Sequence, residues 1–325
     1  MTEIYYNNYQ GCYELLVSSL LKNAGLNEKL FWYQSRIYYN IDERVLYSSD
    51  YGNNIFELLW NEYDGVKLSF KNFSHVDKLV NDLIKQLSAG SIGLFVDLFE
   101  LPYCVYYGVF HETHTIEIVS FDKNLDSFLI VDHYYKFKGY VSLNIIRKCL
   151  QSYMSQLKKE ISYFFVEVTN SNLDRYLNVD DRLICNYISD EQFSSSFQGI
   201  FEDLALLKNV FGQDKFISQI ERISTYLKRF SGSQKMVSVY IGEILNVTNR
   251  SFVDIENLEF LKNEYKKSSE IINLIANILM KEMTKQELGR DLDRHYSVKV
   301  FDLLIESYNI NKTINHTLKN LGRNF

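Results

Sequence analysis

One proline stands in 325 residues, and the fourteen glycines are scattered without a cluster. That scarcity excludes a Pro/Gly-rich linker and a low-complexity tail, and no repeat of solenoid period is present. Cysteine is sparse as well. Cys12, Cys104, Cys149 and Cys185 lie far apart, with no CxxC pair and no Cys/His cluster at zinc spacing. Neither a disulfide framework nor a metal site is therefore expected. Basic residues number 35 against 41 acidic ones, a net charge of −6 that gives no support for nucleic-acid binding. The start, MTEIYYNNYQ, is polar, and no apolar run approaches the roughly 18 residues needed to span a bilayer. A soluble cytoplasmic protein is expected. What the chain does have is apolar and aromatic mass. Hydrophobic residues make up 46% and aromatic residues 15%, with 25 Tyr and 22 Phe, enough for a large core and, at this length, two domains.

The first half alternates periods. Leu15, Leu16, Leu20, Leu21 and Ala24 recur at helical spacing, and Gly25 supplies a stop. Short strands are expected at RIYYN and RVLYS, a helix around IFELLWNEY, a strand at VKLSF, and an amphipathic helix over 74–88. A buried strand, IGLFVDLF, follows. The piece THTIEIVSFDKNLDSFLIVDHY reads as a hairpin with strands near 114–121 and 127–132. A helix near 142–156 and a strand at SYFFVEV close this half. Beyond residue 190 the apolar spacing is helical throughout, as at Phe216, Ile220, Ile223 and Leu227, at Ile271, Leu274, Ile275 and Ile278, and over 298–320. The class is α+β, with a domain at 1–168 and an all-helical domain at 169–325 that covers a cleft or serves assembly. The polar run TNSNLDRYLNVDD marks the boundary.

Cys12 opens the first helix, directly after Gly11. There a thiol faces unpaired backbone N–H groups and the positive end of the helix dipole, both of which favour thiolate. Gly11 leaves room for a substrate backbone or thioester. Acyl chemistry at cysteine also needs a base and a group that holds the base in one tautomer. His114 opens the first hairpin strand and Asp132 closes the second, and antiparallel neighbours about 4.8 Å apart suit a His–Asp contact. Taken singly, Cys12 reads as a small buried hydrophobe, His114 as a satisfied strand-end histidine and Asp132 as a turn former. His111 falls in the preceding loop, and His133 points to the face opposite Asp132.

Together YQGCYELLVSSLL, GLFVDLFELPY, HETHTIEIVSFD and FLIVDHY resemble the N-terminal domain of the butirosin-biosynthesis (BtrH-like) acyltransferase family. That family has a papain-type fold and is also similar to bacteriocin-leader peptidases. The likeness covers about residues 1–165 and is greatest to the branch that forms amides in closthioamide assembly. It implies a papain-like catalytic domain with Cys12 as nucleophile, His114 as base and Asp132 as orienting acid. It further implies an acyl chain presented on the phosphopantetheine arm of an acyl or peptidyl carrier protein, a small amine acceptor such as a diamine, and no bound cofactor. Papain-like proteases place an oxyanion-hole glutamine six residues before the cysteine, where this chain has Tyr6. Gln10 is the candidate in its place, with Asn7, Asn8 and the backbone N–H of Cys12 as alternatives. A leader-type cysteine peptidase and a non-catalytic binding module are the other readings, and a homodimer is compatible with the apolar helical faces.

Two further features are candidates. Asp97 and Glu100 in VDLFELP are placed to meet an amine, although an acidic residue at a strand end is commonly a cap. Residues 1–132 hold 9 basic against 18 acidic residues, whereas 133–159 hold six basic and none acidic. Lys136, Lys138, Arg147, Lys148, Lys158 and Lys159 are therefore candidates for docking an acidic carrier protein, against the plain reading of a solvated helix and loop.

Overall fold

The computed structural model describes residues 3–32, 35, 38–40, 44–47, 66–168, 183, 186–209, 215–247, 252–290 and 296–321. Cys185, the helix expected over 55–63 and the run 169–181 lie outside the described residues. The fold is α+β, and contacts divide it into two units. One comprises Met1–Glu28 with Glu57–Leu173, the other Lys29–Phe56 with Asp174–Phe325. The sequence reading places 1–168 in one domain, whereas these units change over at 28/29, 56/57 and 173/174. The grouping of 29–56 with the second unit has no signature in composition.

The first unit begins with helix α1, Cys12–Asn23, whose N-cap is Gly11 in extended backbone. Its end is set by Gly25 at φ +81, a conformation that costs an L-residue but not glycine. The Gly25 N–H bonds the Lys22 carbonyl and the Leu26 N–H bonds that of Leu21, which is the Schellman closure of a helix. Leu15, Leu16, Val17, Leu20 and Leu21 are buried. Each leucine contributes about 1.5–3 kcal/mol by leaving water, so Leu16→Ala alone would cost the unit about 2–5 kcal/mol.

A six-stranded antiparallel sheet forms the centre, in the order β3–β8–β4–β5–β6–β7. The strands are β3 Val66–Phe73, β4 Ile92–Asp97, β5 Thr113–Asp122, β6 Ser127–Asp132, β7 Phe137–Ser142 and β8 Ile161–Val168. Helices α2 (Val76–Gln86) and α3 (Leu143–Ser155) supply Leu79, Val80, Leu83, Ile146 and Leu150 to a core shared with Ile116 and Ile118 of β5. By strand alternation Thr115 and Glu117 face the other way, toward α1, which packs on β4, β5 and β8. Gly93 permits that packing. A Cβ there would lie 2.4 Å from the Phe164 ring, on which Tyr13 of α1 rests at 5.6 Å.

Sequence expectation and structure differ at β7. KFKGYVS was not expected to be a strand, yet it pairs with β6 along its whole length. Its exposed Lys138 and Tyr140 alternate with half-buried Phe137 and Gly139 and buried Val141, the pattern of a sheet edge protected against further pairing.

In the second unit, helices α4 (Asp190–Asn209), α5 (Lys215–Val247), α6 (Phe252–Glu287) and α7 (Tyr296–Leu321) accompany a two-stranded ribbon, β1 Tyr38–Asn40 and β2 Val45–Tyr47. Phe216, Ile220, Ile223 and Leu227 are buried as their spacing requires, whereas Leu274 is exposed. The buried Asp203 carboxylate binds Arg44 at 3.3 Å, Arg222 at 3.1 Å and the Tyr226 hydroxyl at 3.1 Å, which ties the ribbon to α4 and α5. Among the described residues no helix is long and apolar enough to cross a membrane.

Candidate active site

The site lies where one end of the sheet meets the start of α1. The ladder places Phe73 beside Ile161, Asp97 beside Thr113, and Asp132 beside Phe137 at this end. How His114 and Asp132 come to share a face depends on one residue. From the turn outward β5 and β6 pair Asp122 with Ser127, Phe121 with Phe128 and Ser120 with Leu129, but then Ile118 with Ile130 and Glu117 with Val131. Val119 is the extra residue of a β-bulge. Were Val119 instead paired with Ile130 in an unbroken ladder, the register would set Asp132 opposite Glu117, on the α1 side of the strand. With the bulge Asp132 falls opposite Ile116, on the face that carries His114 two residues away. The His–Asp contact is thus diagonal across the ladder, which a 2.7 Å bond from Nε2 to Oδ2 spans.

Asp132 is wholly buried and its two oxygens do different work. Oδ1 accepts the backbone N–H groups of Tyr134 and Tyr135 at 3.1 and 3.0 Å, forming the turn into β7. Oδ2 takes His114 and the Tyr103 hydroxyl, the latter at 3.0 Å, and the Tyr103 ring is stacked on Phe137 at 3.9 Å. The turn-forming and histidine-holding roles therefore coexist in one carboxylate.

His114 is 3% exposed. Nε2 is committed to Asp132, and the Cys12 thiol acts on the same ring. Burial alone pulls the imidazole toward neutrality. The hydrogen bonds to Asp132 and Cys12, with the negative charge each brings, outweigh burial and push the imidazolium up to about 10. Tyr135 and Tyr134 lie 5.1 and 6.2 Å from the ring. Burial raises the Tyr134 phenol, and Cys12 adds to the rise. Cys12 opens α1 with the N–H groups of the first turn ahead of the first intrahelical bond, Leu15 N–H to the Gly11 carbonyl. Cys104 and Cys149 are buried, and burial pushes the Cys149 thiol well up.

The remaining candidates occupy different places. Gln10 is buried, with Nε2 donating to Ser18 Oγ at 3.2 Å and Oε1 accepting from Asn7 Nδ2 at 2.7 Å. Asn7 Oδ1 in turn takes the N–H groups of Tyr9 and Gln10. Asp97 has no exposed side-chain surface. Its Oδ1 accepts from Phe99 and Glu112 N–H, and its Oδ2 from Ser152 Oγ at 2.7 Å and His111 Nδ1 at 2.6 Å. The six basic residues are dispersed. Arg147 pairs with Asp77, and Lys148 shares a cavity wall with His111 and Glu100. Lys136, Lys138, Lys158 and Lys159 stand at the His114 end of the sheet, with Lys136 Nζ 3.7 Å from the Tyr6 ring centre and Lys159 Nζ donating to Thr113 Oγ1 at 2.9 Å. Among the described residues no three His, Cys, Asp or Glu side chains form a metal-binding group.

A further buried pair was not foreseen. His133 points away from Asp132 as alternation requires, and its Nε2 lies 2.8 Å from Glu117 Oε2. Strand parity set its direction, but nothing local in the sequence named its partner. No family model and no curated protein matches this chain.

Proposed function

We propose that the protein is a cysteine-dependent acyltransferase that forms an amide from a carrier-bound thioester and an amine, on a papain-like catalytic unit. One observation carries this reading: a buried imidazole bonded to the Asp132 carboxylate and acted on by the Cys12 thiol. A thiol with a proton-holding imidazole beside it has the parts that acyl transfer at cysteine requires.

The Cys12 thiolate attacks the thioester carbonyl, and a tetrahedral oxyanion forms near the N–H groups at the start of α1. As it collapses, the carbon–sulfur bond to the pantetheine arm breaks and the departing thiolate takes the proton of imidazolium His114. The acyl group is now on Cys12 and His114 is neutral. The amine attacks this second thioester while His114 accepts a proton from its nitrogen. Collapse releases the amide and restores the starting ion pair. No ATP is consumed, because thioester exchange is nearly balanced and aminolysis runs downhill. Asp132 holds the ring and offsets its charge throughout. The amide-forming branch of the BtrH-like family, which the sequence resembles, performs chemistry of this class.

Incubating the protein with an acyl-carrier thioester and reading the intact mass is the direct test. The expected result is one acyl adduct on Cys12, discharged by added amine. Cys12→Ala should form no adduct and lose turnover by about 10,000-fold or more. Turnover retained in that variant would end the proposal. Cleavage of a leader peptide without acyl transfer would favour the peptidase, and neither activity a binding module.

A further inference from the structure

We infer that the buried His133–Glu117 pair is the positioning device that sets Cys12 in register with His114; the inference rests on the reading of Cys12 as nucleophile. Glu117 is 0% and His133 2% exposed, so neither reaches a substrate. Every bond they make runs to the elements that carry the catalytic residues. Ser19 Oγ donates to Glu117 Oε2 at 2.8 Å and Asn23 Nδ2 to Glu117 Oε1 at 3.0 Å, both from α1. The Tyr5 backbone N–H, in the segment that leads into α1, donates to His133 Nδ1 at 3.0 Å. That donor fixes the tautomer: Nδ1 must accept, so Nε2 carries the proton given to Glu117. His133 itself follows Asp132 directly, and Glu117 stands three residues after His114.

The spacings match. Cys12, Ser19 and Asn23 are separated by seven and four residues and form one stripe on α1. Seven residues of helix advance about 10.5 Å. Three residues of β5, from His114 to Glu117, advance about 10 Å. Fixing Ser19 on Glu117 therefore fixes Cys12 at the level of His114. A slip of α1 by one residue would move the sulfur about 1.5 Å along the axis, and an error of about 1 Å at a reacting atom costs about 100-fold in rate.

The test reads the thiol itself. Alkylation of Cys12 by iodoacetamide is followed in the full-length protein from about pH 5 to about pH 10, located by peptide mass, with thermal unfolding measured on each variant. In wild type, alkylation at about pH 6 should be faster than in His114→Ala by about 10-fold or more. His133→Gln retains a donor toward Glu117 and loses the acceptor for Tyr5; His133→Asn does the reverse. Both should lower the alkylation rate at about pH 6 by about 10-fold or more, toward the rate of His114→Ala. Ser19→Ala, a gentler change, should act in the same direction should the histidine variants not fold. Folded variants with lowered melting temperature and an unaltered alkylation profile would show a merely structural pair and overturn the inference. A wild-type profile indifferent to His114→Ala would instead overturn the reading of Cys12 on which it rests.

Discussion

The two faces of the β5–β6 hairpin carry the same chemical pair in mirrored order. On one, His114 of β5 reaches diagonally to Asp132 of β6; on the other, Glu117 of β5 reaches diagonally to His133 just beyond β6. Both contacts are buried and of nearly equal length, 2.7 and 2.8 Å. Their third partners separate them. His114 is acted on by the Cys12 thiol, and the ring is held as imidazolium up to about 10. The free nitrogen of His133 meets a backbone N–H, which demands a lone pair. A histidine–carboxylate contact is therefore not in itself a catalytic signal. What else acts on the ring decides whether it stores a proton or holds the chain.

Removing the ring that holds the proton should break one face alone, and it is the largest effect expected. His114→Ala takes away the base, so acyl transfer should fall by about 10,000-fold or more while the protein stays folded. Deleting Val119 serves as the contrast, because Ile118 stays opposite Ile130 and Asp132 stays opposite Ile116, so acyl transfer should survive it. Activity retained in His114→Ala would show that this ring is not the base.

The bulge also marks where sequence reading stopped. The hairpin strands were legible because apolar residues alternate and DKNLD is turn chemistry, and both expected strands lie within one residue of those found. Nothing in SFDKN or EIVSF announces an extra residue, since Val119 is an ordinary strand former. A flat-ladder argument bringing His114 beside Asp132 thus reached the right neighbourhood through the wrong register. The strand β7 was missed because its lysine and glycine, with Lys136 just before it, read as a solvated loop. The Glu117 contacts to Ser19 and Asn23 bridge about a hundred residues, beyond any local pattern. The grouping of 29–56 with the helical unit is long-range in the same way.

A narrower change sharpens the comparison by acting on one face. Asp132→Asn removes the charge that holds His114 while leaving an oxygen for the Tyr134 and Tyr135 N–H groups. Turnover should fall by about 100- to 10,000-fold, with a much smaller loss of stability. The pH dependence gives a second readout. His114 is raised from 6.5 to about 10, so its contribution to stability is fully present below about 6.5 and is lost as pH rises through about 10. Wild type should lose stability across that window more steeply than Asp132→Asn, and the His114 ring resonances should titrate at lower pH in the variant. Coincident stability curves and unshifted resonances would show that Asp132 does not hold the imidazolium.

The smallest effect concerns the end of the hairpin that both faces share. Lys159 reaches Thr113, the residue next to His114, and Lys158 precedes it in a left-handed conformation at φ +53. An acidic carrier protein approaching Cys12 would meet these charges first, and exposed charges act on encounter more than on bound-state energy. Single exposed pairs contribute about 0.2–1 kcal/mol, so reversing two charges with Lys158→Glu and Lys159→Glu should raise the KM for a carrier-bound thioester by about 2- to 10-fold. The salt dependence of that KM should shrink, because screening has less attraction left to remove. A short thioester without the carrier should be turned over as before, since it reaches Cys12 without protein docking. Equal losses on both substrates would trace the effect to the broken Lys159–Thr113 contact beside His114, and no loss on either would leave these lysines as ordinary surface.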